Sequence, residues 1–148
     1  MGAAQDGFNA MLRDHVAPAL RDMGFKGSGK AYRLDDERCW IQLGFQASVS
    51  STADAVLFTI NLRVVAKDVW DRMREERSYM PARPAPNVVY GPFEWWQRIG
   101  RLMPGGQDTW WTLKAGQPGA RLAGEVIDAI RDYALPAMLA QRQLVNQV

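Results

Sequence analysis

Ala55-Val56-Leu57-Phe58-Thr59-Ile60-Asn61-Leu62-Arg63-Val64-Val65-Ala66 is the stretch that decides the fold. Successive side chains of a strand point to opposite faces of a sheet. Val56, Phe58, Ile60, Leu62 and Val64 therefore share one face, and Leu57, Thr59, Asn61, Arg63 and Val65 share the other. The segment before it repeats the pattern over 38–48. There Cys39, Ile41, Leu43, Phe45 and Ala47 alternate with Trp40, Gln42, Gly44, Gln46 and Ser48. The short Ser50-Ser51-Thr52 connection makes the two strands antiparallel neighbours. A further strand over 25–34 opens on the irregular Gly27-Ser28-Gly29 and joins 38–48 through an Asp35-Asp36-Glu37 turn.

Helical spacing brackets this meander. Phe8, Met11, Leu12, Val16, Leu20 and Met23 recur every three or four residues and predict a helix over 3–23. Gly24 ends it in a left-handed turn, with Phe25 folding back onto the last turn. Pro18 predicts a kink or a two-piece helix, because it lacks an N–H and crowds the carbonyl of Asp14. A short charged helix over 68–78 uses Val69, Trp70 and Met73 as its apolar contacts, and a proline-rich loop follows over 81–92. Two more strands, 93–102 and 109–114, flank a Pro104-Gly105-Gly106 turn. A last helix over 118–141 carries Leu122, Val126, Ile130, Tyr133 and Ala134 at helical spacing, with Pro136 expected to kink or break it and the tail after Gln143 expected to fray. The order α-β-β-β-α-β-β-α predicts an α+β fold. It is a mainly antiparallel five-stranded sheet with two long helices packed on one face. The whole chain, 1–148, reads as a single domain with an ordered core over about 5–141.

Bulk properties narrow the function classes. A chain of 148 residues buries roughly 70% of its extended surface, enough for a core without disulfides or metal. A formal charge of +2 argues against nucleic acid. The single cysteine, Cys39, falls on the apolar side of its strand and reads as a buried inert thiol. One cysteine, no basic-then-apolar leader and no apolar run of about 18 residues point to a soluble cytoplasmic protein without a membrane span. With one histidine, His15, and one cysteine, neither a metal centre nor a Cys-His nucleophile is expected, and no cofactor is implied. Gly27-Ser28-Gly29-Lys30 resembles a fragment of a phosphate loop. It is followed by strand rather than helix, so a bulge or turn is the better reading.

The candidate site comes from strand parity. Four of the six tryptophans form adjacent pairs, Trp95-Trp96 and Trp110-Trp111, in segments that read as strands. Each pair sends one indole to the core and one to the opposite face. If the aliphatic sides of 38–48 and 55–66 face the helices, then Trp40, Gln42, Gln46, Thr59, Asn61 and Arg63 face away, joined by one indole of each pair and by Gln97 or Arg98. Amides give orienting hydrogen bonds and indoles give area, a combination suited to a polar ligand with flat parts. The competing reading covers this face with the 81–92 loop, making its indoles a second small core.

Several segments in fixed order resemble a known family. They are the helix ending Leu20-Arg-Asp-Met-Gly24-Phe25, the Phe45-Gln46-x-Ser48 strand, Phe58-Thr-Ile-Asn61-Leu62, Arg98-Ile-Gly100-Arg-Leu102, Asp108-x-Trp110-Trp111-x-Leu113 and Tyr133-Ala-Leu-Pro136. Together, over about Phe8 to Leu139, they resemble the bacterial domain-of-unknown-function family 4304. The resemblance implies a stand-alone domain of this size and no known activity. It emphasises Gln46, Asn61, Arg98 and Trp110-Trp111.

The reading favoured by the sequence is a non-catalytic bacterial domain that binds a small polar ligand or peptide segment on the sheet face opposite the helices. Trp40, Gln46, Asn61, Arg98, Trp110 and Trp111 are the candidate ligand-binding residues. The alternative is a partner-binding accessory or immunity-type protein, by analogy with other small orphan domains. An enzyme is the least favoured class, since it would have to work with Arg98 and either Asp108 or Glu94.

Overall fold

A computed structural model describes residues 2–147. The first helix runs as α1 (Ala3–Met11), a π-helical turn (Leu12–Val16) and α2 (Ala17–Asp22). Then follow β1 (Lys26–Ser28), β2 (Ala31–Leu34), β3 (Cys39–Ala47), β4 (Ala55–Ala66), α3 (Lys67–Glu76), β5 (Trp95–Arg98), a 3-10 turn (Ile99–Leu102) and β6 (Trp111–Lys114). The chain closes with α4 (Gly119–Ala129), a second π-helical turn (Ile130–Ala134) and α5 (Leu135–Asn146). The fold is α+β with an antiparallel sheet in the order β1-β2-β3-β4-β5, and β6 pairs with β4 as well. β4 is long enough to carry both: its first residues, Ala55 to Phe58, meet β6, and Asn61 to Val64 meet β5.

The sheet has six strands rather than five because 25–34 is a hairpin, not one strand. Gly29 takes φ +60 between β1 and β2, a turn conformation that glycine adopts at no steric cost. The 93–102 segment is also shorter as strand than its sequence suggests. It leaves the sheet at Ile99, which turns inward and is fully buried.

The alternation of β3 and β4 is realised residue by residue. Their register pairs Ile41 with Val64, Leu43 with Leu62 and Phe45 with Ile60, and all six are buried in the main core. The stripe of the first helix (Phe8, Met11, Leu12, Val16, Leu20) and that of the last (Leu122, Val126, Ile130, Met138) complete this core on one side of the sheet. Phe58 is its centre, with Phe8 at 4.8 Å and Trp111 at 5.7 Å between ring centroids. At the end of α2, Phe25 N–H donates to Leu20 O and Gly24 N–H to Arg21 O, so the expected left-handed glycine end is present, with Gly24 at φ +102.

Neither proline breaks its helix. The N–H just before each ring, that of Ala17 and of Leu135, reaches back five residues, to Leu12 O and Ile130 O. The widened turn absorbs the missing donor and the crowding of a proline ring inside a helix. The tail expected to fray continues as helix to Asn146, whose carbonyl accepts a bond from Arg38 at 3.3 Å. No helix among the described residues is long and apolar enough to cross a membrane.

Two outcomes test this packing. Phe58→Ala should cost about 3–5 kcal/mol, the usual range for emptying a buried aromatic site, seen as a lower urea midpoint with an unchanged slope. Burial, reinforced by the neighbouring Asp36 carboxylate, pushes the Cys39 thiol up. At pH 8 the folded protein should therefore react with a disulfide reagent far more slowly than the urea-unfolded chain.

Candidate functional site

On the face away from the main core, β3 and β4 present Gln42, Thr59, Asn61 and Arg63, all buried. An arginine in a central strand must find acceptors once it is covered, because an unpaired buried charge is very costly. The 81–92 segment supplies them. Arg63 Nη1 donates to Ala85 O at 3.0 Å and to Gln42 Oε1 at 2.9 Å, and Nη2 donates to Val88 O. Its Nε meets Glu94 Oε2 at 2.7 Å, with both side chains 0% exposed. The other Glu94 oxygen accepts the Tyr90 N–H at 2.8 Å, and the Tyr90 ring centroid lies 5.2 Å from the guanidinium carbon. Gln42 Nε2 donates to Pro84 O at 2.8 Å, and Trp70 Nε1 to Pro81 O and Ala82 O.

Proline-rich sequence suits this role. A proline offers a carbonyl and no N–H, so the segment brings acceptors to the sheet with few donors of its own to satisfy. The side chains of β3 and β4 act as the donors, and 81–92 becomes a strap. Asn87 anchors its middle, donating to Phe45 O at 3.0 Å and accepting from Asn61 Nδ2 at 3.0 Å. Gly44 makes the room: a Cβ there would overlap Asn87 Oδ1 and press on Pro86. Beside the strap, Val65, Trp70 and Met80 form a second small core, with Trp40, Tyr90 and Phe93 packed against it.

The strap covers the centre of the face and leaves its two ends. At one end, four of the six candidate residues join a single chain of hydrogen bonds. Asn61 Nδ2 donates to Gln46 Oε1 at 2.7 Å, and Asn61 Oδ1 accepts from Arg98 Nε at 3.3 Å. Arg98 Nη1 meets Asp108 Oδ2 at 3.2 Å, and Trp110 Nε1 donates to the same oxygen at 3.0 Å. The guanidinium carbon of Arg98 lies 5.2 Å from the Trp110 ring centroid and 5.9 Å from that of Trp96. A shallow cleft of about 250 Å³ opens here, lined by Trp96, Gln97, Arg98, Arg101 and Asp108.

Local structure explains how the sequence delivers Arg98. β5 sets it opposite Asn61. Ile99 then plugs the core, and Gly100 lies against the backbone of Gln107 and Thr109, where a Cβ has no room. Thr59 Oγ1 holds the same returning strand by donating to Thr109 O at 2.7 Å.

Two candidates stand elsewhere. Trp111 sits opposite Phe58 and packs into the helix-side core, as Trp95 does opposite Val64, so Trp96 and Trp110 are the indoles on the strap side. Trp40 lies at the far end of the face. Lys67 Nζ is 4.7 Å and the Arg83 guanidinium carbon 5.5 Å from its ring centroid. These three residues line a larger cleft of about 740 Å³ with Arg33, Asp35, Asp36 and Glu37. Glu94 and Asp108, weighed together in the sequence, are held by different arginines. Parity had placed Gln42 and Arg63 on this face, but Asn87 and Glu94 carry no periodic signal that would single them out. Among the described residues, no group of three or more His, Cys, Asp or Glu side chains is arranged to hold a metal ion.

A family model described as Domain of unknown function (DUF4304) matches residues 16–139. No curated protein and no solved structure matches the chain.

The buried pair should behave as a unit. Arg63→Met and Glu94→Leu should each cost about 3–5 kcal/mol by stranding a charge, and the double variant should cost clearly less than the two together. Strict additivity in a urea-denaturation cycle would contradict the coupling.

Proposed function

The chain belongs to the DUF4304 family of unknown function, and we propose that it is a non-catalytic binding domain. In this reading it takes a small polar ligand or a peptide segment at the Arg98 end of the sheet face opposite the helices. The supporting observation is the chain of hydrogen bonds from Gln46 through Asn61, Arg98 and Asp108 to Trp110.

One member is buried and the members beyond it are progressively more open: Asn61 is 0% exposed, whereas the Arg98 and Asp108 side chains are 28% and 40% exposed. A buried amide that fixes an accessible guanidinium pre-organises it, which lowers the ordering cost of binding. Arg98 spends Nε on Asn61 and Nη1 on Asp108, and among the described residues its Nη2 has no hydrogen-bond partner. That nitrogen suits an acceptor oxygen, while Trp96 and Trp110 offer flat apolar surface beside it. The cleft fits one polar group, either of a free small molecule or of a peptide side chain or terminus.

The carboxylates favour binding over catalysis. Asp108 is engaged by Arg98 and Trp110, and Glu94 by Arg63 and Tyr90, so each serves to position a neighbour. A bacterial cytoplasmic setting belongs to the same reading, and the lone buried thiol of Cys39 fits a reducing compartment.

A thermal-shift screen of polar metabolites and short peptides, read in parallel by tryptophan fluorescence, tests the proposal. A hit should bind at least about tenfold more weakly to Arg98→Gln, about 1.4 kcal/mol, measured at a temperature where both proteins are folded. Absence of any hit across the library, or hits indifferent to Arg98→Gln, would count against it.

A further inference from the structure

We propose that the cleft at the Trp40 end is a second and separate binding site, for a phosphate or carboxylate head group carried by a larger ligand. Its volume of about 740 Å³ lies within the roughly 300–1,000 Å³ range usual for small-molecule pockets. Its walls come from three parts of the chain: the hairpin formed by the end of β2, its turn and the start of β3; the start of α3; and the strap.

The charge arrangement selects the ligand. Lys67 and Arg83 converge on one indole, at 4.7 and 5.5 Å from the Trp40 centroid. Neither meets a carboxylate among the described residues: Lys67 Nζ donates to the backbone oxygen of Asp36 at 2.6 Å, and Arg83 has only its ring contact. Cation–π attraction offsets part of the repulsion between two such charges. An anion held in the cleft that both residues line would offset more of it and gain charge-assisted hydrogen bonds. Lys67 is also the first residue of α3, whose amino end adds positive potential.

The acidic wall opposes this only in part. Asp35 is engaged by Lys26 at 2.5 Å and by Arg33 at 3.1 Å. Asp36 Oδ2 accepts the N–H groups of Arg38 and Cys39 at 2.9 and 2.8 Å and closes the turn, but these neutral donors leave its charge in place. Glu37 has no hydrogen bond or ion pair from its side chain among the described residues. Asp36 and Glu37 together disfavour a ligand that is negative along its whole length, so the anion is a single head group with a neutral or cationic remainder.

This site shares no lining residue with the Arg98 cleft, and the two proposals stand or fall separately. Titration of the ¹⁵N-labelled protein with inorganic phosphate and, in parallel, with acetate at constant ionic strength tests it. Saturable shifts should centre on Trp40, Lys67 and Arg83 for at least one of the two anions, and the better anion identifies the head group. Arg83→Gln, an exposed change on the strap, should weaken that binding at least tenfold with an unchanged melting temperature. Lys67→Met should act in the same direction, and Arg98→Gln should leave the titration as it is. Shifts that do not saturate with either anion, that spread over the surface, or that survive Arg83→Gln would overturn the proposal.

Discussion

The buried pair between Arg63 and Glu94 is the constraint on which the strap side of the molecule depends. A guanidinium in the middle of the longest strand, with no exposure, is tolerable only where acceptors surround it. Glu94, Gln42, Ala85 O and Val88 O do so. Two of these acceptors are strap carbonyls, so the segment that takes water away from the guanidinium also replaces it. The third, Gln42, spends its amide nitrogen on a further strap carbonyl, that of Pro84. Glu94, meanwhile, stands one residue before β5, and holding it sets where that strand begins. The same interaction that closes the sheet face thus fixes the register that puts Trp96 opposite Arg63 and Arg98 opposite Asn61.

What was legible in the sequence was whatever rests on periodicity. β4 spans 55–66 as its alternation predicts, and the helix-side core is the set of residues that share its apolar face. Period two also sorts the tryptophan pairs into one inward and one outward indole, but it carries no phase for short strands. Pairing with Phe58 and Val64 is what sends Trp111 and Trp95 inward. Periodicity is silent where the backbone changes rule. The Gly29 turn divides an apparent single strand in two, and π-helical turns before Pro18 and Pro136 carry each helix through its proline. The candidate site was legible in composition and not in arrangement. Gln46, Asn61, Arg98 and Trp110 do come together, yet Trp40 is separated from them by a strap whose bonds to β3 and β4 link residues 22 to 42 positions apart. Nothing local in Ala85-Pro86-Asn87-Val88 encodes a partner in β3 or β4.

Arg98-Ile99-Gly100 shows how three adjacent residues can be required for three different reasons. Arg98 closes a polar chain, Ile99 fills the main core, and Gly100 admits the backbone of 107–109. A motif of this kind marks the point where the sheet ends and the chain must turn without losing its hold on the core. Its emphasis in a family resemblance is therefore explained by architecture for Ile99 and Gly100. Arg98 alone keeps donor capacity to spare.

The strap also links the two ends of the face. Arg83 leaves its first part to lie over Trp40, and Asn87 in its middle accepts from the same Asn61 amide that donates to Gln46. Between these points the strap is tied by carbonyls to Gln42 and Arg63, which belong to neither cleft. The Trp40 cleft takes Arg83 from the strap, whereas the Arg98 cleft takes no lining residue from it and meets it only through Asn61. The buried pair of Arg63 and Glu94, with the strap carbonyls around it, thus stands between the two clefts.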